Sequence, residues 1–517
     1  MRAWLAGSEL ELLAPLRWLP PGETPSGPWP VVDRRALVAG LERANVSYGH
    51  PGAAALGRRL ADPATRVVVA GQQPGLLGGP LYTLLKLIAA ARWAERLGAA
   101  GQPAVAVFWV ATEDHDFGEV ARAAVWANDG LHRLSLGEDP LPLTPVGMRT
   151  LGPGVDEVLA ELAALFPYQP YSGWVERLRQ CYRPQHRFGE AFCRLAVELL
   201  GDRCPLLLDA MLPELKAAEA PWLRRLVEER EAVAAALAAA DRRLEGRGHP
   251  LQVAPQPGAA PLFLLAGGER RRVLWEGGGR FSLRGGAEGA RPLAELLAAA
   301  ADNPAALSPN VLSRPVVQDA VLGTSLSILG PGELSYMAQA AALYDPLQVA
   351  PPWVTLRPQA LVVERRHLAV LDELGLPPQV LFASADAVDR RLAHGEGAAL
   401  VAEPRDRVEE ALATLRSAAL ELDPNLERPW EKTRDHVRTA LERFEERVTR
   451  AAAHRDEVRH RRLDTLREYC APGGVPHERV LASAHFRGRY GEGMIERLWE
   501  ALDLTPGTLQ LIAPPED

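Results

Sequence analysis

Cysteine is scarce in this 517-residue chain, and long apolar runs are missing. The four cysteines form neither a Cys-x-x-Cys pair nor a metal-ligand spacing, so a disulfide framework and a zinc site are not indicated, and we expect reduced thiols. No apolar stretch is typical of a signal peptide or a membrane span. These absences favour a cytoplasmic protein with no membrane partner.

Lysine is also rare. Of the 58 lysine and arginine residues, only three are lysines: Lys86, Lys216 and Lys432. An ammonium and a guanidinium present charge differently, so each lysine is a candidate for a specific role. The net charge of −8 provides no general attraction to phosphate backbones or anionic lipids. We therefore expect no nucleic-acid partner.

Apolar runs and helical spacing predict an α/β fold. Thr65–Gly71 contains three consecutive valines and ends on glycine, which is typical of a buried parallel strand. Leu81–Leu97 has apolar residues at helical spacing, and Ala104–Val110 is the next buried strand. This βαβ unit predicts a parallel sheet with right-handed crossovers.

The rest of the chain divides by composition. Short apolar runs with glycine clusters between His249 and Arg284 indicate a small antiparallel insertion. Long charged helices from Pro404 to Cys470 carry heptad spacing, which predicts an antiparallel hairpin of the coiled-coil type. The predicted segments are an N-terminal half of the core at 1–150, a helical and small-β insertion at 151–300, a C-terminal half at 301–380, the hairpin at 381–472 and a final packing segment at 473–517.

The first unusual polar cluster follows the first strand, where ligands bind in open α/β sheets. Its glycines would let the backbone approach a ligand, and the following helix would present free N–H groups to an anion. Tyr82 and Lys86 are four residues apart and share a helix face. A tight turn packed for steric reasons is the alternative interpretation. The candidate residues are Gly71, Gln72, Gln73, Gly75, Gly79, Tyr82 and Lys86.

The second cluster, Glu113-Asp-His-Asp116, directly follows the strand that carries Trp109. Three carboxylates and an imidazole within four residues repel one another unless they share a cation, an amine or a proton. His115 is a candidate general base, which Asp114 or Asp116 would orient. In a second interpretation the carboxylates, including Glu113, bind an ammonium group or Mg²⁺. In a third, Asp114 only caps the next helix.

The third cluster spans residues 308–339. Arg314 is suited to a bidentate grip on a carboxylate or phosphate, and Gly330 and Gly332 open a helix that could receive an anion. Glu333 also favours the dipole of that helix, and some of the polar side chains could simply cap the local backbone. The other candidates are Asn310, Gln318, Asp319, Tyr336 and Gln339.

Three segments together resemble one enzyme family. They are GQQPGLLGGPLYTLLK, FWVATEDHDFGEV and SPNVLSRPVVQDAVLGTSLSILGPGELSYMAQ, and the closing PHERVLASAHFRGRYGEGMIERLWEAL agrees with them. This order is similar to that of the bacillithiol biosynthesis cysteine-adding enzymes, the bacillithiol synthase family of cysteine ligases. The resemblance spans nearly the whole chain.

The resemblance implies a Rossmann-like core with connecting-peptide insertions, and a coiled coil used in homodimerisation. It also implies cysteine and glucosaminyl malate as substrates, joined as an amide. Because a carboxylate does not condense readily with an amine in water, we expect activation by ATP, with Mg²⁺ as a possible companion. Lys86 and the helix start at Gly330 would then stabilise negative charge, His115 would accept the amine proton, and Arg314 would hold a carboxylate.

Two other functions remain open from the residues. One is another carboxylate–amine ligase or nucleotidyltransferase of the class I synthetase-like superfamily, which a panel of amine acceptors would distinguish. The other is a non-catalytic metabolite-binding protein whose coiled coil recruits a partner, which predicts tight binding without turnover.

Overall fold

The computed structural model describes residues 8–286, 289–453 and 457–515. The ends of the first and last predicted segments, 1–7 and 516–517, lie outside the described residues. The chain divides into two compact units, Met1–Leu361 with Glu478–Asp517, and Val362–His477. The finer boundaries at 150, 300, 380 and 472 stay predictions.

The strands are numbered in chain order. They are β1 Arg17–Trp18, β2 Arg66–Gln72, β3 Ala104–Val110, β4 Arg122–Ala127, β5 Gly130–Ser135, β6 Leu206–Asp209, β7 Ala259–Ala266, β8 Glu269–Trp275, β9 Arg280–Leu283, β10 Arg291–Pro292, β11 Leu307–Pro309, β12 Thr324–Leu329, β13 Trp353–Leu356, β14 Gln359–Val362 and β15 Leu509–Ile512.

Helices fill most of the remaining described chain. In the first unit the α-helices are Arg35–Ser47, Ala53–Ala61, Leu81–Ala99, Phe117–Val120, Gly154–Leu165, Tyr171–Cys181, Phe188–Leu200, Pro213–Glu228, Arg230–Gly246, Leu293–Asp302, Ser313–Leu322, Pro331–Ala340, Tyr344–Leu347, Ser483–Tyr490 and Gly493–Ala501. In the second unit they are Arg365–Glu373, Ala385–Leu422, Glu427–Ala453 and Glu457–Cys470.

A six-stranded sheet in the order β1-β13-β12-β2-β3-β6 forms the centre of the first unit. All its neighbouring strands are parallel, which confirms the predicted α/β class. Strand β3 is buried along its whole length because both faces are covered, and this explains its unbroken apolar sequence. Trp109 packs with Val107 and Leu208 on one face, while Phe108 stacks on Phe192 on the other.

The sheet brings three polar connections to one edge. Strands β12 and β3 flank β2, so the carboxyl ends of all three lie side by side. Gln72 is level with Val110, and Val110 is level with Asp209 on β6. Because the connections that follow neighbouring strands diverge at this edge, a ligand-binding crevice is expected here.

The glycine-rich region forms a separate antiparallel sheet in the order β10-β9-β8-β7-β11. Gly267 and Gly268 form the two-residue turn between β7 and β8, and both have positive φ angles, 59° and 84°. The predicted antiparallel insertion is thus confirmed. Its edge strand β11 lies beyond residue 300, within the segment assigned from the sequence to the second half of the core.

The second unit contains the predicted helical hairpin. Its helices Ala385–Leu422 and Glu427–Ala453 are antiparallel. Three ion pairs show this, because the residue numbers rise along the first helix while those of their partners on the second helix fall. These pairs are Arg405–Glu445, Glu409–Arg438 and Arg416–Glu427. The first helix begins well before Pro404, where the sequence placed the charged helices, and that proline lies inside it.

No helix in the described parts of the chain combines the length and apolar character needed to cross a bilayer. Cys181, Cys193, Cys204 and Cys470 are all buried and free of disulfide bonds.

Candidate active site

A cavity of about 520 Å³ lies at the carboxyl edge of the parallel sheet. It contains residues from all three sequence clusters and from the antiparallel insertion. The candidates predicted from the sequence that line it are Gly71, Gln72, Gln73, Tyr82, Lys86, Trp109, Glu113, Asp114, His115, Asn310, Arg314, Gly330, Gly332, Glu333 and Tyr336. Candidates that do not line it are Gly75, Gly79, Asp116, Gln318, Asp319 and Gln339.

The first cluster surrounds the turn between β2 and the helix Leu81–Ala99. Gly75 and Gly79 shape this turn, since a Cβ on Gly75 would lie 2.8 Å from the Cα of Gly79, and Gly79 itself has φ +64°. In the structure Gly75 and Gly79 therefore form a tight turn for steric reasons, which was the alternative interpretation of the sequence. Gln73, by contrast, reaches the second cluster and donates from Nε2 to Oδ2 of Asp114 at 2.7 Å.

Lys86 is buried under the first cluster, with its side chain 2% exposed. Its ammonium donates to the carbonyl of Gly71 at 2.7 Å, to Oε1 of Gln72 at 3.0 Å and to the carboxylate of Glu333. Burial lowers the pKa of Lys86, and Glu333 opposes that effect. The carboxylate of Glu333 also accepts from the backbone N–H of Gly330 at 2.6 Å. The Lys86–Glu333 pair is therefore hydrogen-bonded to the turn after β2, through Gly71, and to the turn after β12, through Gly330.

Tyr82 has two guanidinium groups near its ring, and the sequence did not single out either of them. Arg357 lies 5.1 Å and Arg479 lies 5.9 Å from the ring centroid. Arg357 is buried, and it is fixed by Glu478 in an ion pair of 2.7 Å. These two arginines come from distant parts of the sequence, so no local pattern could have identified them.

Asp114 and His115 are in contact within the second cluster. Oδ1 of Asp114 accepts from the backbone N–H of His115 at 2.8 Å and lies 3.6 Å from the ring Nδ1. Asp116 instead caps the short helix Phe117–Val120 by accepting from the N–H of Glu119, and it is exposed. The helix cap that the sequence assigned as an alternative role to Asp114 therefore belongs to Asp116.

Arg270 approaches this pair from strand β8. Its Nη1 is 3.5 Å from Oδ1 of Asp114 and 3.5 Å from Nδ1 of His115. The guanidinium is held by Oγ of Ser308 at 2.9 Å and the carbonyl of Pro309 at 2.7 Å. The sequence signal was weak, since Arg270 is the first of three arginines just after a hairpin turn.

Burial lowers the pKa of the His115 imidazole below its usual value. Asp114 and Asp116 oppose this shift, whereas Arg270 and Arg149 reinforce it. A neutral imidazole can accept a proton, and the arrangement thus favours a general base among the residues that line the cavity.

The third cluster contributes Arg314 and Tyr336 to the cavity. Arg314 donates to Oε1 of Gln318 at 2.8 Å and to the hydroxyl of Tyr336 at 3.3 Å. Asn310 accepts from the N–H groups of residues 312 and 313, which is a local capping role. Asp319 is buried behind this layer and accepts from Tyr344.

Gln339 faces the insertion rather than the cavity. It exchanges hydrogen bonds of 3.0 Å with the backbone of Val253 and donates to Asp241 at 2.7 Å. Its contacts are those of a structural residue that fixes a loop.

Two of the described side chains that line the cavity have polar atoms without hydrogen-bond partners. Among the described residues, Nε1 of Trp109 and Oε1 of Glu113 are buried and have none. The other oxygen of Glu113 accepts from Lys216 at 2.6 Å. Buried polar groups without partners are rare and often mark positions that a ligand completes.

A protein-held metal ion does not fit this set of side chains. In the described ranges, no group of three or more His, Cys, Asp and Glu side chains is arranged to hold one. The acidic residues of the second cluster already interact with Gln73, Arg270 and Lys216.

Family models match both parts of the chain. The model described as bacillithiol biosynthesis BshC, N-terminal Rossmann-like domain, matches residues 26–358. The chain belongs to this family. The C-terminal coiled-coil domain model of the same family matches residues 360–513, and so the resemblance noted from the sequence and the Rossmann-like fold are confirmed.

Relatives named "Putative cysteine ligase BshC" align over most of their length. The protein of Solibacter usitatus is 32% identical over 91% of this chain and 88% of its own. That of a Thermus thermophilus strain is 34% identical over 84% and 86%. That of Salinibacter ruber is 31% identical over 88% and 84%.

Proposed function

We propose that the protein joins the carboxyl group of cysteine to the amine of glucosaminyl malate and so forms bacillithiol. Support comes from its membership of the bacillithiol biosynthesis BshC family over both domains. The name of its relatives supports a ligase enzyme. The observation that carries the proposal is the cavity, which is lined by an imidazole, several carboxylates and several guanidinium groups.

The amine must lose a proton when it attacks an activated carboxyl group. His115 is the residue proposed to take that proton, because it lines the cavity and its pKa is lowered. Asp114 orients the ring, and Arg270 keeps both groups in place. A positioned base of this kind contributes about 10²–10⁴-fold to rate.

The malate moiety supplies carboxylates that need cationic partners. Arg314, Arg357 and Arg479 all line the cavity, and a guanidinium matches a carboxylate in geometry. Arg314 is the proposed partner for one malate carboxylate, as its orientation is fixed by Gln318 and Tyr336.

Activation of the cysteine carboxyl group is proposed to come from ATP, since direct condensation in water is unfavourable. The start of the helix Pro331–Ala340 faces the cavity through Gly330 and Gly332, and helix N-termini favour anions. The N–H of Gly330 is occupied by Glu333 and Pro331 has none, so Gly332 is the first residue there with an N–H for a phosphate or oxyanion.

Mass spectrometry of the full-length protein incubated with cysteine, glucosaminyl malate and Mg-ATP tests the proposal. Bacillithiol that forms only with ATP supports both the reaction and the activation step. Product without ATP would support the two proposed substrates but overturn the proposed activation by ATP. Absence of product in both samples would contradict the proposed reaction, and a panel of other amines would then show whether a different acceptor is used.

A further inference from the structure

Behind the cavity wall, three ionisable side chains form a closed group. Nζ of Lys216 donates to Oε2 of Glu113 at 2.6 Å and to Oε2 of Glu219 at 2.9 Å. The side chains of Lys216, Glu113 and Glu219 are 1%, 4% and 0% exposed. Of the three, Glu113 alone lines the cavity. Lys216 and Glu219 therefore do not touch a ligand in the cavity themselves, and Glu113 is the member of the group through which they are connected to it.

The charges of this group do not balance when all three members are ionised. Two carboxylates and one ammonium leave one negative charge within the group, and a buried charge without full compensation is destabilising. A single proton on Glu219 removes that charge. Burial raises the pKa of Glu219 to about 7, against the effect of Lys216 and with a contribution from Glu113.

Charged groups from other elements also face the three side chains. Across from its own helix it faces Glu113 and the guanidinium of Arg314. Arg270 faces Glu113, and Asp209 at the end of β6 faces Lys216. Asp209 has separate donors, namely the hydroxyl of Thr112 and the N–H of Met211 at 2.8 Å.

One oxygen of each carboxylate lacks a donor. Among the described residues, no group donates a hydrogen bond to Oε1 of Glu113 or to Oε1 of Glu219. The group is thus able to accept one more hydrogen-bond donor and one more positive charge, and Glu113 is where a ligand would deliver them.

We propose that Lys216 and Glu219 are positioning residues that couple the uptake of a primary ammonium group beside Glu113 to the release of the proton held by Glu219. The incoming ammonium keeps its own protons and adds one positive charge. Glu219 restores neutrality by losing one proton to solvent. The inference rests on the proposed function, because cysteine and glucosaminyl malate both carry a primary ammonium.

Isothermal titration calorimetry of the full-length protein counts the released proton. Each substrate is titrated at pH 6 in buffers of different ionisation enthalpy, beside a counterpart without the amine, 3-mercaptopropionate or glucosyl malate. The substrate that occupies the site should release close to one proton, and its counterpart none. Because binding releases a proton, its Kd should rise by up to about tenfold for each pH unit below pH 7.

Glu219→Gln keeps the size of the side chain and an oxygen for Lys216 but cannot titrate. We expect it to abolish proton release and to make Kd independent of pH between 5.5 and 7, whereas Asp209→Asn, a second buried carboxylate next to Lys216, should retain both effects. A purely structural role for Glu219 would leave the proton count unchanged among folded variants.

The outcomes separate this inference from the proposed function. Proton release that persists in Glu219→Gln would overturn the inference. If that variant does not fold, the wild-type count decides, since amine binding without proton release would overturn the inference and leave the ligase reaction intact. If neither amine binds, both fail. Binding with proton release but without bacillithiol formation would support the ammonium site and contradict the proposed reaction.

Discussion

Lys86 and Glu333 form an ion pair although they are 247 positions apart in the chain. Lys86 belongs to the helix after β2, and Glu333 to the helix after β12. The pair therefore connects the two strand-to-helix junctions that flank the cavity. Since the ammonium is buried and already compensated, its first role is to fix these junctions relative to each other.

Lys86→Met should lower the free energy of unfolding by about 3 kcal/mol, because it leaves the carboxylate of Glu333 largely buried without its partner. The double variant Lys86→Met with Glu333→Gln should recover part of the loss. Urea denaturation measures both. A single variant as stable as the wild type would contradict this role of the pair.

His115→Asn should reduce kcat by about 10²–10⁴-fold and leave substrate binding nearly unchanged, because it removes a base without a large change in volume. Steady-state kinetics and calorimetric binding provide the two quantities. Full turnover in saturating substrates would exclude His115 as the base.

Arg270→Gln should move the acid limb of kcat/KM to higher pH. Arg270 lowers the pKa of His115, and so its removal raises that pKa and protonates more of the base at a given pH. We expect a shift of up to about one pH unit. Arg272→Gln is the matched control, because Arg272 also lines the cavity and contacts the ring of Phe263 but is not among the largest influences on the pKa of His115. Equal shifts in both variants would argue against a specific effect of Arg270.

Asp319→Asn tests a buried carboxyl group that does not line the cavity. Burial raises the pKa of Asp319 from 3.8 to about 6, so between these pH values the unfolded chain has lost a proton that the folded chain keeps. Folding then takes up a proton, and the stability contributed by this group falls as pH rises from about 4 to about 6. The variant should show a smaller loss of stability over that interval, measured by denaturation at several pH values. A change in KM of more than about twofold would instead indicate a role in binding.

The hairpin is predicted to mediate a homodimer. Leu415 and Phe444 are 55% and 59% exposed although both belong to the heptad pattern, whereas Leu412 is 8% exposed. A second copy of the hairpin is the proposed cover for these side chains. Leu415→Glu with Phe444→Glu should convert the dimer to a monomer in light scattering, while circular dichroism confirms that the helices persist. A monomeric wild-type protein would contradict the prediction.

Local sequence was sufficient for the elements whose surroundings are uniform. Strand β3 coincides with the predicted Ala104–Val110, because a strand buried on both faces must be apolar at every position. The helical hairpin was predictable from its heptads in the same way. The charged helices were described from Pro404, whereas the first helix begins at Ala385, since a proline within a long helix does not have to end it.

The candidate site was predictable only in part. The clusters around Tyr82, His115 and Arg314 were recognisable because polar side chains follow buried strands, and parallel strands bring such positions to one edge. Asp319 and Gln339 were grouped with them because they are close in sequence, yet their side chains point into the protein. Helical periodicity alone does not reveal which polar face meets the cavity.

The sequence by itself determined the parallel α/β core, the antiparallel insertion, the helical hairpin and the family, because these depend on local periodicity and on the order of motifs. Only the tertiary structure decided which charges are compensated. The deciding contacts join distant segments of the chain. They are Arg270 with His115, Glu333 with Lys86, and Lys216 with Glu113. Whether a buried ionisable group acts as a base, a structural ion or a proton store depends on such neighbours, and they are set by the packing of the chain rather than by adjacent residues.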